Sequence, residues 1–317
     1  MEATMKDREK PHRAFWRRKW TFSDIRTAIY ILMTHSLCIF APFHFNWKAF
    51  WVAFTLYVLV AIFGITLSYH RNLTHKSFKL PKWLEYSFAY MGVMALQGDP
   101  IDWVSTHRHH HQFVETERDP HSPIHGLWYS HMGWTMNSRA LTKRVCPKYI
   151  DDPQDINIFR LQLKHGRPNN VSDLEDQIFY RIIQKTYLLH PLALGIVLFL
   201  IGGFPFLVWS GGVAVTWGYH VTSMVNSICH SWGSQPWKTR DSSKNNWLVS
   251  LVTFGEGWHN NHHAFEYSAR HGLEWWQLDI PWYIILCLQA LGLATNVKFP
   301  TEKQKLDKAF STSKNTT

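Results

Sequence analysis

Three histidine-rich stretches contain most of the side chains in this chain that could bind a metal ion. They read HRNLTH over 70–75, HRHHH over 107–111 and HNNHH over 259–263. In the third stretch, His259, His262 and His263 are spaced i, i+3 and i+4, so an α-helix would present all three imidazoles on one face. Neutral imidazole is the commonest metal ligand among protein side chains. The spacing therefore predicts a metal site, and a surface histidine patch is the alternative for any one stretch alone.

The second stretch repeats this spacing. His107, His110 and His111 again occupy i, i+3 and i+4, whereas His109 would lie about 200° round the helix from His107. We therefore predict that His109 points away from the metal. A further histidine, His230, follows an apolar segment. Nine histidines are therefore candidates for one layer of the fold, namely His70, His75, His107, His110, His111, His230, His259, His262 and His263.

The number of histidines indicates two metal ions. A structural zinc uses four ligands and a catalytic zinc three, so nine imidazoles exceed what one ion binds. Calcium and magnesium prefer oxygen ligands. Imidazole suits iron, copper, zinc and nickel, and the residues alone leave the metal open. The HExxH signature of metalloproteases does not occur in the sequence.

Long apolar segments adjoin the histidine stretches. Residues 27–45, 49–69, 186–207 and 208–229 contain no Asp, Glu, Lys or Arg. Each approaches the roughly 20 residues with which a helix crosses a bilayer. Gly202, Gly203 and Pro205 mark a turn between the last two segments. We predict an all-α membrane protein with four transmembrane helices and a cytosolic helical cap that holds the histidines. A soluble enzyme with four buried helices is the alternative.

The distribution of Lys and Arg predicts the orientation. Residues 1–26 carry eight of them, and Lys48 is the only one in the short loops between paired spans. Positive charge favours the cytosolic side, so both termini and the segment 70–185 should face the cytosol. We divide the chain into a basic tail (1–26), a membrane domain (27–300) and a polar tail (301–317). Two shorter apolar runs, 83–98 and 272–294, are predicted to lie at the membrane interface.

Charge and cysteine usage narrow the class further. The formal net charge of +10 fits nucleic acid or an anionic membrane surface, and the apolar segments favour the membrane over nucleic acid. The four cysteines form no CxxC pair, which argues against a disulfide framework and a cysteine zinc site. Residues 1–26 contain no apolar run of the kind found in a secretory signal.

With their flanking residues, the histidine stretches resemble the membrane fatty acid desaturases, and among them the acyl-CoA Δ9 desaturase branch that includes the plant ADS proteins. The resemblance extends from about Trp20 to Pro300. It is carried by HRNLTH, DWVSTHRHHHQF, ERDPHSP, SHMGW, NSICHSWG and GEGWHNNHHAFEYSAR.

This resemblance implies two iron ions held by the nine histidines, with Asn226 contacting one ion through a water. It implies an enzyme that uses O2 to remove two hydrogens from adjacent carbons of a long-chain acyl group, leaving a cis double bond and water. Such C–H bonds are beyond acid–base catalysis. The implied electron donor is cytochrome b5 with its reductase, as separate proteins, and the implied location is the endoplasmic reticulum membrane. Residues 145–175 depart from the plant members, so the substrate is acyl-CoA or an acyl lipid.

The resemblance and the neighbouring residues suggest further site residues. Trp103 resembles a residue that lines the acyl tunnel, and Trp258 is a second candidate, with a packing role as the alternative for each. Arg108 is a candidate contact for a substrate headgroup, with a solvated charged face as the alternative. Asp102 and Asp119 are candidates for hydrogen bonds to ligating histidines, or for helix capping. The basic residues Arg139, Lys143 and Arg144 could also contact a headgroup.

Two other functions compete with desaturation. A fatty-acyl or sphingolipid hydroxylase on a related histidine scaffold would yield an alcohol instead of an alkene. A membrane metal transporter would place ionisable groups inside its spans or carry low-complexity histidine tracts. Here the predicted spans contain only scattered histidines, namely His35, His44, His190 and His220. The pattern therefore favours the enzyme over the transporter.

Overall fold

The fold consists of helices packed around the histidine-bearing ends of the long apolar segments. The computed structural model describes residues 17–145 and 170–309. In these residues there is no β-strand, only isolated antiparallel bridges such as Lys79–Thr295. The predicted all-helical character is confirmed. Most of the segment 145–175 and parts of both predicted tails lie outside the described residues.

The helices are named in chain order. They are α1 (Phe22–Ile39), α2 (Trp47–Leu59, continued by a π-helix over Val60–Thr74), α3 (Lys82–Val93), α4 (Pro100–Phe113), α5 (Leu127–His131), α6 (Ser138–Val145), α7 (Ser172–Glu175), α8 (Ile178–Thr186), α9 (Leu189–Phe206, continued by a π-helix over Leu207–Ala214), α10 (Val215–Ser227, ending in a 3-10 turn over Ile228–His230), α11 (Trp247–Val252), α12 (His259–Ala264), α13 (Ile280–Ala290) and α14 (Glu302–Lys308). Short 3-10 turns cover Pro123–His125 and Gly133–Met136.

Within residues 17–145 and 170–309, two continuous helical stretches are long and apolar enough to cross a membrane, namely Trp47–Thr74 and Leu189–His230. The second is interrupted at Gly203, whose φ of 67° and ψ of −161° are not helical. Glycine adopts a positive φ at little cost. The turn therefore lies at the pair Gly202 and Gly203, where the sequence predicted it. Helix α1 begins at Phe22, so it includes the charged residues Asp24 and Arg26, and it is not one of the two membrane-length stretches. The structure thus shows two membrane-length stretches where the sequence predicted four spans.

A capping box fixes the start of α1. The Thr21 side chain accepts from the Asp24 N–H, and the Asp24 carboxylate accepts from the Thr21 N–H. The same buried carboxylate accepts from Arg18 at 2.6 Å and from the Ser138 N–H at 2.7 Å. Helix α1 is therefore tied to the start of α6.

The π-helical half of α2 orients the first histidine stretch. Over Val60–Thr74 the turns are wider than in an α-helix, and the His75 N–H donates to the carbonyl of His70, five residues earlier. In an α-helix, side chains five residues apart diverge by about 140°. The wider turns bring the two rings to centroids 5.0 Å apart. Such π-turns are frequent at functional sites.

Helix α3 packs closely against this π-helix. A Cβ on Gly64 would lie 2.4 Å from the backbone nitrogen of Gly92, and a Cβ on Gly92 would lie 2.5 Å from the Tyr69 ring. Neither position has room for a side chain. The two glycines therefore allow the helix that carries His70 to be held by backbone contact.

A buried apolar cluster lies next to the histidine-bearing ends of α2 and α4. It joins Tyr69, Leu73, Ile101, Val104 and Leu174, all of which are buried, and Trp103 packs against it. Each such side chain contributes about 1.5–3 kcal/mol on burial. The cluster therefore fixes α2, α4 and α7 relative to one another.

Candidate metal centre

Five histidines from three helices form what we call the first histidine group. One ring nitrogen from each lies within 4.8 Å of the others, and every ring is buried or half-buried. Two rings come from the end of α2, two from α4 and one from α12. The members are His70, His75, His107, His111 and His262.

Four histidines form the second histidine group, with the same 4.8 Å limit between ring nitrogens. The rings of His111 and His263 stack with centroids 4.6 Å apart, so the two groups are adjacent. The structure therefore brings all nine predicted ligands together as five and four. The members of the second group are His110, His230, His259 and His263.

Helices α4 and α12 each contribute to both groups. On α4, His107 and His111 belong to the first group and His110 to the second. On α12 the arrangement is reversed. The i, i+4 pair His259 and His263 belongs to the second group, and His262 belongs to the first. A shift of either helix would therefore disturb both groups.

A carboxylate faces the Nδ1 atom of five of the nine rings. A carboxylate accepts but does not donate, so Nδ1 carries the hydrogen and Nε2 is left with its lone pair. Ligating histidines usually donate their second N–H in this way. The pairs are His70–Glu256 at 2.6 Å, His110–Asp119, His230–Glu115 and His263–Asp241 at 2.9 Å each, and His111–Glu266 at 3.3 Å.

The Nε2 lone pairs of the first group converge. His262 Nε2 lies 3.1 Å from His70 Nε2 and 3.0 Å from His111 Nε2. His70 and His111 donate through Nδ1, and His262 has at most one hydrogen on Nε2, so it cannot donate to both in the single plane of its ring. Lone pairs this close repel unless a cation lies between them. The first group therefore fits a metal ion.

The second group has the same character. His110, His230 and His263 all donate through Nδ1 to carboxylates, so three Nε2 lone pairs are left near one another. The Nε2 atom of His263 is buried without a hydrogen-bond partner. The Nε2 atoms of His230 and His259 are 3.0 Å apart. This donor set fits a second ion of a metal that accepts imidazole.

Burial keeps six of the nine imidazoles neutral and able to bind metal. Desolvation is the largest cause that lowers the pKa of these six histidines, and neighbouring histidines lower it further. For His111 the pKa falls to about 4, despite its hydrogen bond to Glu266. The pKa lies well below its ordinary value for His75, His107, His259, His262 and His263.

We expect the metal-free protein to lose stability as the pH falls below the ordinary histidine value of 6.5. In the unfolded chain these imidazoles take up protons near their ordinary pKa, whereas in the folded protein their pKa is lowered. The unfolded state therefore binds more protons below pH 6.5, and acidification stabilises it relative to the folded state. The measurement is the Tm of metal-free protein in detergent between about pH 8 and about pH 5.5. A constant Tm over that range would contradict the burial of neutral imidazoles.

Glu256 connects the first group to a buried cation. Its Oε2 accepts from His70, and its Oε1 accepts from Arg71 at 2.8 Å. Arg71 is fully buried and also pairs with Asp279 at 2.9 Å. Burial would raise the pKa of Glu256, but Arg71, His271 and His70 bring it well below its ordinary value. The carboxylate therefore stays charged and orients the His70 ring.

Two further residues named from the sequence, His109 and Asn226, lie outside the two histidine groups. His109 lies outside both groups, as its place on α4 predicts, with Nε2 3.1 Å from the Arg118 carbonyl and its ring against Phe113. Asn226 is half-buried on α10, four residues before His230. This places Asn226 one helical turn from a member of the second group.

The two candidate tryptophans differ. Trp103 is half-buried, and its ring centroid lies 5.0 Å from that of His107 and 6.3 Å from that of His70. Trp258 is buried, donates to the Leu278 carbonyl at 2.9 Å and packs edge-on against Trp276. Trp103 is therefore placed beside the first group, whereas the contacts of Trp258 favour its packing alternative.

Arg108 is used inside the protein. Nη1 and Nη2 donate to both carboxylate oxygens of Asp173, at 2.8 and 3.0 Å. The carbonyls of Leu73, Thr74 and Asn170 take the remaining three N–H groups. All five donors of the guanidinium are occupied, which disfavours a headgroup contact.

The other basic candidates for a headgroup contact, Arg139, Lys143 and Arg144, have different surroundings. Arg144 donates to the carbonyls of Asp119 and Pro120 at 3.2 and 3.4 Å, so it braces the loop that holds the partner of His110. Arg139 is exposed. The side chain of Lys143 lies outside the described residues.

The two candidate aspartates also differ. Asp119 accepts from His110, as suggested, and burial would raise its pKa, but His110 and His121 lower it below its ordinary range. Asp102 lies near Asp99, and burial with the charge of Asp102 raises the pKa of Asp99 to about 7. Asp119 is therefore the one found on a histidine ring nitrogen.

Four of the carboxylates that accept from the histidine rings were not predicted from the sequence. Glu256 lies three residues before the third histidine stretch, Glu115 four residues after the second and Glu266 three residues after the third, so proximity could have suggested them. Asp241 follows His230 by a loop and gave no local signal. His271 was also missed; its ring centroid is 4.6 Å from that of His262, and its Nδ1 is 3.4 Å from Glu256.

A cavity connects the first group with the protein surface. Its volume is about 400 Å³, and its lining includes His75, His111, Glu266 and Tyr267. Glu266 is more than half exposed, yet it accepts from the buried His111. The first group can therefore be reached from outside the helix bundle.

The chain belongs to the fatty acid desaturase family, whose sequence model matches residues 45–285. That range contains both histidine groups. One relative, the chloroplastic palmitoyl-monogalactosyldiacylglycerol delta-7 desaturase of Arabidopsis thaliana, is 55% identical over 98% of this chain and 78% of its own. Icosanoyl-CoA 5-desaturase of Limnanthes douglasii is 53% identical over 94% of this chain and 78% of its own. Delta-9 acyl-lipid desaturase 1 of Arabidopsis thaliana is 50% identical over 96% and 93%.

These matches confirm the predicted family and the predicted enzyme class. The protein is an oxidoreductase that desaturates fatty acyl groups, and its histidine groups fit the metal binding expected of that chemistry. Membrane association agrees with the two membrane-length helical stretches.

Proposed function

We propose that this desaturase introduces a cis double bond at Δ9 of a long-chain acyl group carried on coenzyme A or on a glycerolipid. The observation that carries the proposal is the convergence of Nε2 lone pairs in two adjacent histidine groups. The names of the relatives include acyl-CoA and acyl-lipid desaturases, and the positions in those names are Δ5, Δ7 and Δ9. The Δ9 position follows from the branch that the motifs resemble.

The proposed cofactor is a pair of iron ions, one in each histidine group, with Asn226 contacting one ion through a water. When bound, iron supplies the O2-dependent oxidation of unactivated C–H bonds, which protein side chains do not provide. The donor set supports this choice because imidazole suits iron. The protein contributes a fixed geometry, since the carboxylates on Nδ1 set the tautomer and the orientation of five rings.

The residues around the first group would position the acyl chain. Trp103 presents an aromatic face beside His107 and His70, and it packs on the buried apolar cluster. An apolar wall at this point would hold two adjacent methylene carbons near the metals and exclude water. This arrangement supports a substrate that is a hydrocarbon chain.

The electrons are proposed to come from cytochrome b5 and its reductase. A net charge of +10 favours docking of an acidic electron carrier. The proposed location is the endoplasmic reticulum membrane, with a chloroplast membrane as the alternative suggested by the chloroplastic relative. In this proposal the desaturase domain covers 27–300, between the tails 1–26 and 301–317.

The reaction is tested by expression in yeast that lacks its own desaturase. We expect new cis-monounsaturated fatty acids, with the double bond at Δ9 when located by mass spectrometry, because this placement follows from the motifs. A double bond at Δ5 or Δ7 would contradict the Δ9 position but not desaturation itself. An alcohol in place of an alkene would overturn desaturation in favour of hydroxylation.

The proposed topology has four spans with both termini in the cytosol. The kink at Gly203 supports counting Leu189–His230 as two crossings, and α1 would supply another. The basic residues before α1 favour the cytosolic side. We expect an N-terminal tag to be digested by protease added to sealed microsomes. A protected tag would contradict the orientation.

A further inference from the structure

Two asparagines separate the histidines of the third stretch. Asn260 and Asn261 lie about 100° and 200° round α12 from His259, so they project from a different side of the helix than the converging rings. Asn260 is fully buried. A buried amide finds its hydrogen-bond partners within the fold. The partners of Asn260 therefore show what this side of α12 holds.

The described hydrogen bonds of the Asn260 side chain lead to one loop, residues 237–243, which we call the carboxylate loop. Its Oδ1 accepts from the Trp237 N–H at 2.9 Å. Its Nδ2 lies 3.3 Å from the Trp237 carbonyl, 3.4 Å from Oγ1 of Thr239 and 3.2 Å from Oγ of Ser243. Two N–H groups serve these three acceptors. Asn260 therefore contacts the loop at its beginning, its middle and its end.

Thr239 and Ser243 in turn fix Asp241. The Thr239 hydroxyl donates to the Asp241 carbonyl at 3.1 Å, and the Ser243 N–H donates to Oδ1 of Asp241 at 2.9 Å. The other carboxylate oxygen, Oδ2, accepts from Nδ1 of His263 at 2.9 Å. Asn260 is thereby linked, through the residues on either side of Asp241, to a ring of the second group.

The carboxylate loop also reaches a second ring of that group. The Ser242 N–H donates to Oε1 of Glu115 at 2.9 Å, and the Ser242 hydroxyl contacts the same oxygen. That oxygen accepts from Nδ1 of His230 at 2.9 Å. Both rings that the loop orients, His230 and His263, belong to the second group. A displaced loop would therefore disturb the second group more than the first.

Other contacts stabilise the loop from its own segment and from α14. The Lys238 N–H donates to the Lys308 carbonyl at 2.8 Å. Gln235, two residues before the loop, donates to the Asp241 carbonyl at 3.1 Å. Asn260 adds the contacts that fix the residues on either side of Asp241 relative to α12.

We propose that Asn260 is a positioning residue for the second histidine group. It holds the carboxylate loop against α12, so that Asp241 meets Nδ1 of His263 and Glu115 meets Nδ1 of His230. A carboxylate on Nδ1 sets the tautomer of a ligating histidine and orients its ring. Asn260 therefore acts on the metal centre through the loop.

The first test measures the loop itself, whichever metal the protein holds. Hydrogen exchange is followed in the full-length holoprotein in nanodiscs. In Asn260→Ala we expect the amides of Ser242 and Ser243 to exchange at least about tenfold faster than in the wild type, because both donate within the loop that Asn260 holds. Unchanged exchange at these two amides overturns the proposal.

Asp24→Asn is the matched control for a loss of stability. Asp24 is buried as Asn260 is, but its carboxylate accepts from Arg18 and from the Ser138 N–H, between α1 and α6. We expect this variant to have a lower Tm and an exchange of the carboxylate loop like that of the wild type. If Asp24→Asn frees the loop as much as Asn260→Ala does, the loop responds to global stability and the proposal fails.

The second test asks whether the loop supports the second group, and it rests on the proposed pair of iron ions. In a chelator titration of Asn260→Ala, we expect one ion to bind about 10- to 100-fold more weakly and the other to bind as in the wild type. Adding Asp241→Asn should cost less than the product of the two single losses, because both changes act on the same contact. Adding Glu256→Gln should weaken the other ion independently. Equal weakening of both ions by Asn260→Ala overturns the positioning role.

Ser243→Ala is the milder variant in case Asn260→Ala does not fold. It removes the Oγ that accepts from Asn260 and keeps the N–H that donates to Asp241. We expect it to weaken the same single ion by a smaller factor, and wild-type binding of both ions would then overturn the proposal. A wild type without two metal ions would count against the proposed function, and the exchange test would still decide the role of Asn260.

Discussion

Replacement of His262 by alanine is expected to abolish desaturation and to lower the iron content from about two ions per chain to about one or fewer. The Nε2 atom of His262 lies 3.1 Å from that of His70 and 3.0 Å from that of His111, which makes it the ring on which the first group converges. Its loss removes one of five imidazoles and leaves the other lone pairs without a common point. The measurements are product formation in the yeast host at matched protein level and elemental analysis of the purified protein.

His109→Ala is the matched control for this prediction. His109 is a buried histidine on α4, among the ligands in sequence, yet it contacts the Arg118 carbonyl and lies outside both groups. We expect the variant to keep both iron ions and most of its activity. An inactive His109→Ala together with an active His262→Ala would show that the ligands are assigned wrongly. An active preparation that contains only zinc would contradict iron.

The sequence predicted which histidines meet, but not how they divide. The spacing i, i+3, i+4 places three rings on one face, and that face is broad enough for His107 and His111 to join one group while His110 joins the other. Nothing in the spacing says where the boundary between the groups falls. The division depends on the packing of α4 against α2 and α12, which is a tertiary property.

The first histidine stretch was less predictable still. His70 and His75 are five residues apart, a spacing that an ordinary α-helix does not bring to one side. Their meeting depends on the π-helix over Val60–Thr74, held by the close approach of Gly64 and Gly92. The apolar segments themselves were plain from composition, and the turn near Gly203 followed from glycine and proline. Asp241 reaches His263 through the fold alone.

The charged side chains show the limit of reasoning from residue type. From the sequence, Arg108 was a candidate for a headgroup contact or for a solvated charged face, but it donates instead to Asp173 and to three backbone carbonyls. Composition cannot tell a solvated arginine from one whose donors are all used within the fold. The same holds for Arg71, which is fully buried between two carboxylates.

Glu256→Gln is expected to weaken iron binding in the first group about 10- to 100-fold. It should also lower the free energy of unfolding by about 3–5 kcal/mol, because it breaks a buried ion pair. The carboxylate accepts from His70 with one oxygen and from Arg71 with the other. A glutamine amide is neutral and has only one accepting oxygen, so Arg71 loses an anion in either orientation, and either His70 or Arg71 also loses its hydrogen-bond acceptor. The measurements are iron retention against a chelator and denaturant unfolding.

Asp279→Asn separates these two effects. Asp279 pairs with Arg71 at 2.9 Å and accepts from the backbone N–H groups of His271 and Gly272, and these contacts do not include His70. We expect Asp279→Asn to destabilise the fold by a similar amount while iron is retained as in the wild type. If Asp279→Asn releases iron as readily as Glu256→Gln does, then Glu256 supports the first group by neutralising Arg71 and not by orienting the His70 ring.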